Sequence, residues 1–194
     1  MSTERWEIAS GSQINFTVRH LMISKAHGRF TRWSGNLLVP DGDWGRATVD
    51  VAIDASSIDT GIPKRDADLR SPNFLEVGRY PEITFQTLYV TARQGDAFQL
   101  VGELTMKGRV REVILEVESS GITLEGAGQE RARFSAKAVI SRRDFGASGN
   151  VAWDKYGIMI GERIDIEIDV EAVRQPAAAI SFLNDTRDLT VTRT

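Results

Sequence analysis

The sequence predicts an all-β chain with a short helical insertion, its eight antiparallel strands closed into a barrel around an apolar interior. Three observations carry that expectation. Apolar and polar residues alternate through most of the chain, the period-two pattern of strands with one wet face. Short turn signals separate the alternating runs, so neighbours in sequence pair as neighbours in space. One stretch, Asp54 to Pro81, breaks the alternation and carries Pro63 in its middle. An open sheet of this size would expose two edges, and closure removes both.

The elements follow in order. The first strand places Ile14, Phe16, Val18 and His20 on one face and Asn15, Thr17 and Arg19 on the other. A second runs from about Gly28 to Val39 and stops at the turn Pro40-Asp41-Gly42-Asp43. The third carries Ala47, Val49, Val51 and Ile53 inward. Pro63 to Leu75 then holds the helix: proline suits a first helical turn, and Leu69 with later apolar residues supplies a partial helical period. Ile83, Phe85, Thr87 and Tyr89 form the inner face of the fourth strand, and Gln94-Gly95-Asp96 turns the chain tightly. The fifth strand directs Phe98, Leu100, Gly102, Leu104 and Met106 inward, and Lys107-Gly108-Arg109 leads into the sixth, Val110 to Glu118. The seventh carries Ala132, Phe134, Ala136, Ala138 and Ile140. In the eighth, Ile164, Ile166, Ile168 and Val170 alternate with Asp165, Glu167, Asp169 and Glu171. After Val173 the composition shifts to Gln175-Pro176-Ala177-Ala178-Ala179, so the barrel domain is expected over 1–173 with a tail over 174–194.

Composition narrows the function. The 194 residues carry 24 Lys plus Arg against 27 Asp plus Glu, a net charge of −3 that argues against a nucleic-acid partner. With 41% hydrophobic residues, including 8 Phe, 4 Trp and 3 Tyr, the chain can build a core. There is no cysteine, which excludes disulfides, thiolate nucleophiles and Cys-based metal sites. The two histidines, His20 and His27, cannot form a three-His zinc site. Uncharged runs such as Gln175 to Asn184 are far too short for a membrane span, and the first residues lack the apolar core of a signal peptide, so a soluble cytoplasmic protein is the expectation. Candidate catalytic groups are poorly placed. Asp66 and Asp68, two apart on a helix, do not share a face. Asp144-Phe145-Gly146 has no glycine-rich loop before it. No catalytic, metal or cofactor site is expected. Inside the barrel, Gly102, Ala132, Ala136, Ala138 and Thr87 stand among Phe16, Phe85, Phe98 and Phe134. That mixture either leaves room for a guest or fits the barrel's taper.

Collinear stretches then resemble one known family. They include Val18-Arg19-His20-Leu21-Met22 continuing to Phe30, Ile53-Asp54-Ala55-Ser56-Ser57-Ile58, and Arg65-Asp66-Ala67-Asp68-Leu69-Arg70-Ser71-Pro72. Arg79-Tyr80-Pro81, Gly102-Glu103-Leu104-Thr105-Met106, Ser141-Arg142-Arg143-Asp144-Phe145-Gly146 and Gly161-Glu162 follow. Together they are similar to the YceI-like family of lipocalin-like barrels that bind polyisoprenoid or related lipids, and they span about residues 6 to 173. Where that family usually carries a Leu-x-Trp-Asn-like stretch, this chain has Ala147-Ser148-Gly149-Asn150, a change that widens a mouth or reshapes a dimer contact.

The resemblance implies an apolar tunnel for a polyisoprenoid, an isoprenoid quinone or another long-chain amphiphile, carried or stored without catalysis. Pattern and resemblance together put Phe16, Val18, Phe30, Val51, Phe85, Leu100, Phe134 and Ile166 on its wall. His20, Asp68, Arg70 and Ser71 are the candidates for its mouth or for contact with a head group. The last three read better as an ion pair that holds the helical segment down. Pairing among barrel relatives implies a homodimer. The rival readings are a lipid-independent interaction module with a filled barrel, and a hydrolase or isomerase acting on such a lipid.

Overall fold

The computed structural model describes residues 2–20, 24–91, 94–126, 128–149 and 160–176, excluding the side chains of Arg19, His20 and Ser24. Its strands are β1 (Thr3–Ile8), β2 (Gln13–His20), β3 (Ser24–Phe30), β4 (Trp33–Pro40), β5 (Thr48–Asp54) and β6 (Ile58–Asp59). The helix α1 (Pro63–Arg70) follows, then β7 (Glu82–Val90), β8 (Ala97–Met106), β9 (Arg109–Glu125), β10 (Gln129–Ser141) and β11 (Ile160–Arg174). The ring runs β1-β4-β5-β7-β8-β9-β10-β11 and closes by pairing β11 back onto β1. Every neighbouring pair in it is antiparallel. It is the eight-stranded closed barrel that the alternation predicts.

The ring is not built from the eight expected segments, however. Its first member is β1, whose Trp6 and Ile8 alternate with Arg5 and Glu7, a short signal at the chain start that the sequence reading passed over. β1 and β2 are two halves of one bent strand. β1 pairs the end of β11 (Ile8 opposite Ala172) and β2 pairs its beginning (Ile166 opposite Phe16). At the break the Ser12 hydroxyl accepts from the Glu171 N–H at 2.9 Å and donates to the Glu171 carbonyl at 3.2 Å, standing in for a backbone pair. The expected second strand divides likewise into β3 and β4 around Thr31-Arg32. β2 and β3 therefore extend past the ring as a two-stranded flap, with β6 on the outer edge of β3.

A register shift between Thr87 and Tyr89 bulges β7. The bulge turns Tyr89, expected inside, outward to 54% exposure, and Val90 takes the inward place. The Thr87 hydroxyl repairs the neighbouring ladder, accepting from the Val49 N–H at 2.9 Å and donating to the Val49 carbonyl at 3.1 Å. Thr87 thus works as a ladder group rather than as a small filler. The β8–β9 turn places Lys107 at φ 51° and Gly108 at φ 69°, the two positive values of a type I′ hairpin.

Two apolar clusters line the barrel interior. One end is plugged by Trp6, Leu37, Val39, Ala47, Ala132 and Ala172, with Trp44 stacked at a tilt on Trp6 (ring centroids 5.3 Å apart) and on Phe134 (5.4 Å). The larger cluster occupies the remainder, from Ile14 and Phe85 to Phe145. Inward glycines do not leave space there. A Cβ on Gly28 would lie 2.3 Å from the ring of Phe16, its cross-strand partner, and one on Gly102 would lie 2.4 Å from the ring of Phe85. Each glycine is the seat of an aromatic ring, which corrects the reading of Gly102 as room for a guest.

The opposite end is capped by α1 and the loop after it, together with a 3-10 turn over Arg142–Phe145. The helix is shorter than Pro63 to Leu75. It stops at Arg70 because Ser71 precedes Pro72, which disfavours helical backbone at Ser71, and Ser71 adopts ψ 167°. The two parts of the cap are stitched together. The Gly149 N–H donates to the Asn73 carbonyl at 2.9 Å, and Lys107 Nζ reaches the carbonyls of Pro72 (2.6 Å) and Gly146 (3.3 Å). β11 runs through Arg174, and the Gln175 N–H donates to the Arg5 carbonyl at 2.8 Å, so the last sheet bond falls two residues beyond Val173. The remainder of the expected tail, 177–194, lies outside the described residues.

Candidate functional site

A cavity of about 260 Å³ runs through the barrel interior, and the surface it presents is apolar. One water needs roughly 10–15 Å³ by such a measure, so this chamber is far larger than a packing defect. Period-two geometry brings the wall together from all round the ring. The inner faces of β2, β5, β7, β8, β9, β10 and β11 all contribute to it. All eight wall candidates, Phe16, Val18, Phe30, Val51, Phe85, Leu100, Phe134 and Ile166, line the cavity. Phe16 and Phe30 lean on one another with centroids 5.8 Å apart, and Phe98 meets Phe134 edge-on at 6.4 Å.

The mouth candidates fare differently. Asp68, Arg70 and Ser71 are not among the residues that line the cavity. Arg70 donates from Nε to the Ser56 carbonyl at 2.8 Å and from Nη2 to the Ile58 carbonyl at 2.7 Å. It therefore clasps α1 to the turn after β5 and to β6, through backbone carbonyls. Ser71 ends the helix, its carbonyl accepting from the N–H groups of Phe74 and Glu76. The side chain of His20 lies outside the described residues, and its backbone pairs Ile160 and Ser24.

Asn15, Thr60, Arg65 and Arg142 are polar residues among those that line the cavity, but they present no polar surface to it. Arg65 and Leu69, four apart, share the face of α1 that meets the chamber, and that spacing was the signal available in the sequence. Arg65 donates to Thr60 twice, Nε to Oγ1 at 2.7 Å and Nη2 to the carbonyl at 2.8 Å. Asp66 is buried and is not among the lining residues; it accepts from the Thr60 N–H (2.9 Å) and Oγ1 (2.5 Å). Arg142 is 4% exposed. It donates to the carbonyls of Ala147 (2.5 Å), Gly161 (2.9 Å) and Ile160 (3.1 Å). Burial, with the like charge of Arg143 second, holds its pKa below the usual guanidinium value. It remains cationic nonetheless, because a guanidinium does not lose its proton in proteins.

Ala147 lines the chamber beside Arg142 with a single methyl group. Gly149 is fixed by contact, since a Cβ there would lie 2.8 Å from the Asn73 carbonyl and 2.9 Å from the Phe74 ring. The departure from the family pattern at 147–149 thus falls on the cap.

A closed antiparallel barrel around an apolar chamber, capped by one short helix, is a lipocalin-like barrel. Comparison with known proteins narrows the class: the YceI-like domain model matches residues 6–172, and the chain belongs to the YceI-like family. It is 31% identical over 162 residues to Protein YceI of Escherichia coli O157:H7, covering 84% of this chain and 81% of that one. Among solved structures it resembles Burkholderia cenocepacia BcnA at a TM-score of 0.71, with 19% identity over 84% of this chain and 98% of the other. It also resembles a polyisoprenoid binding domain from Saccharophagus degradans at a TM-score of 0.61, with 17% identity over 89% and 98% of the two chains. Among the described residues no helix is long and apolar enough to cross a membrane.

Proposed function

We propose that this chain binds a long-chain amphiphilic lipid, a polyisoprenoid or an isoprenoid quinone foremost, within the barrel, as a carrier or store rather than as a catalyst. The observation that carries this reading is the chamber itself. At about 24 cal/mol per Å³, leaving 260 Å³ unpacked forgoes on the order of 6 kcal/mol, comparable to the whole net stability of a small domain. A fold built only to be stable would fill that space. An apolar guest recovers the loss, each buried methylene contributing about 0.8 kcal/mol, so one five-carbon unit supplies roughly 4 kcal/mol. The tail then sets affinity. Family membership and the polyisoprenoid-binding structural relative support the same class of guest.

Native mass spectrometry of protein purified without detergent tests this directly. The expected result is a co-purifying hydrophobic adduct, identifiable by mass after organic extraction. Protein that is empty in every preparation, and whose Tm no prenyl lipid raises, overturns the reading.

A further inference from the structure

The chamber ends in a definite floor. At the plug end its lining includes Leu37, Trp44, Ala47 and Phe134, whereas Trp6, Val39, Ala132 and Ala172 of the same cluster do not line it. The space therefore stops on the first set, and the second set, at most 1% exposed, backs it. Leu37 and Phe134 project from barrel strands, so the register of the ring fixes them. Trp44 is held differently. It sits on a 3-10 turn, Trp44–Arg46, that joins β4 to β5. Asp43 locks that turn, its side chain accepting from the Gly45 N–H at 2.9 Å and its carbonyl from the Arg46 N–H at 3.0 Å. From the turn the indole lies against both Phe134 and the buried Trp6, with ring centroids 5.4 Å and 5.3 Å away.

A head group finds no partner on such a floor. The surface the chamber presents is apolar, and burying an unpaired polar group against it is unfavourable. Only the hydrocarbon end of an amphiphile can rest there. While apolar room remains, each further methylene tightens binding about fourfold. The gain ends where the chain meets a packed wall, because extra carbons forced into a filled site cost more than they return.

Resting on the lipid-binding reading above, we propose that Trp44 sets the length of hydrocarbon the chamber accepts, the far end of the guest stopping against its indole. The chamber then ranks amphiphiles by the length of their apolar chain, and the determinant is one side chain on a connecting turn.

The test uses the full chain and a series of saturated fatty acids from octanoate to docosanoate, with geraniol, farnesol and geranylgeraniol alongside, measured by displacement of a fluorescent fatty probe. Wild-type affinity is expected to rise about fourfold per methylene and to level off or fall beyond one chain length. Trp44→Ala moves that break to longer chains, so that acids just beyond the wild-type break bind the variant roughly tenfold tighter than wild type, while shorter acids stay within about threefold. Trp44→Phe keeps a smaller ring and gives a shift in the same direction; it decides the matter if Trp44→Ala does not fold. A wild-type series without a break, or a break that the folded variant leaves in place, overturns the role of Trp44 and leaves lipid binding standing. An equal change of affinity at every chain length does the same, because it marks the ring as structural. Failure of every acid and prenyl alcohol to bind overturns the lipid reading itself.

Discussion

The two ends of the barrel are closed by different physics. At one end Trp6, Val39, Ala132 and Ala172 are almost wholly buried, and Trp44 and Phe134 complete the plug. Over it lies a charged seam on the outer surface. Arg174 pairs with Glu4 and Glu130, and Arg131 and Arg133 pair with Glu125 and Glu171. At the other end α1 has Leu69 as its one large apolar residue, and cationic side chains hold the cap by donating to backbone carbonyls: Arg70, Lys107 and Arg142. Opening the plug exposes hydrocarbon, which water cannot repay. Opening the cap exchanges protein hydrogen bonds for water, at a net cost of about 1 kcal/mol per bond, and also exposes the buried Phe74, Leu75 and Phe145. The plug is held by hydrocarbon alone, whereas the cap depends on cationic clasps as well as on buried apolar groups.

Changes at either end break or sharpen this contrast. Trp6→Ala removes the centre of the plug and is expected to cost about 3–5 kcal/mol, the largest effect here, lowering Tm by roughly 10 °C while the cap residues keep their amide protection in hydrogen exchange. Gly102→Ala forces a methyl group onto the Phe85 ring and the Gln86 carbonyl, and is expected to cost about 1–3 kcal/mol by chemical denaturation. Arg70→Met releases the α1 clasp. The expected outcome is faster exchange at α1 and at residues 56–60, with a Tm loss of no more than about 4 °C. Ala147→Leu narrows the chamber at the cap and is expected to weaken binding of a prenyl lipid about tenfold, with less than about 1.5 kcal/mol change in folding.

The smallest effect concerns acid. Hydrogen bonds from Ser56, and then from Arg32, hold the Asp54 carboxyl at about 2, below its usual 3.8. Because the folded value is depressed, this stabilisation is complete above about pH 4 and is lost as pH falls towards 2. The salt bridge of Asp54 to Arg32 at 2.7 Å is lost with it. Asp54→Asn is expected to be slightly less stable at neutral pH and to flatten the Tm profile between pH 4 and pH 2.

The barrel wall was legible in the sequence because its physics repeats. A strand with one buried face must alternate, so β5, β8, β10 and β11 could be read directly, and all eight wall residues fall on the chamber. What escaped was whatever breaks repetition. The bulge that exposes Tyr89 leaves no mark in the pattern, since Thr87 and Tyr89 continue the period that the backbone abandons. Gly102 reads as empty space because a sequence does not display the Phe85 ring lying across it; the structure supplies that fact. The cap was least legible. Its bonds run from long side chains to carbonyls remote in sequence, as from Arg142 to Gly161, so Asp68, Arg70 and Ser71 stood out while Arg65 and Arg142 did not.

Pairing β1 with β11 has a consequence for the order of assembly. Trp6 opposes Arg174, so the contact that closes the ring joins residues at nearly opposite ends of the described chain. Such distant closure is paid for in loop entropy before it brings any gain, and it slows folding. During synthesis β1 and β4 can pair early, but the free edge of β1 waits until β11 has left the ribosome. Throughout that interval an unpaired strand carrying Trp6 is open to other chains. The charged residues on β1, Glu4, Arg5 and Glu7, flank that tryptophan and act as gatekeepers until the barrel closes.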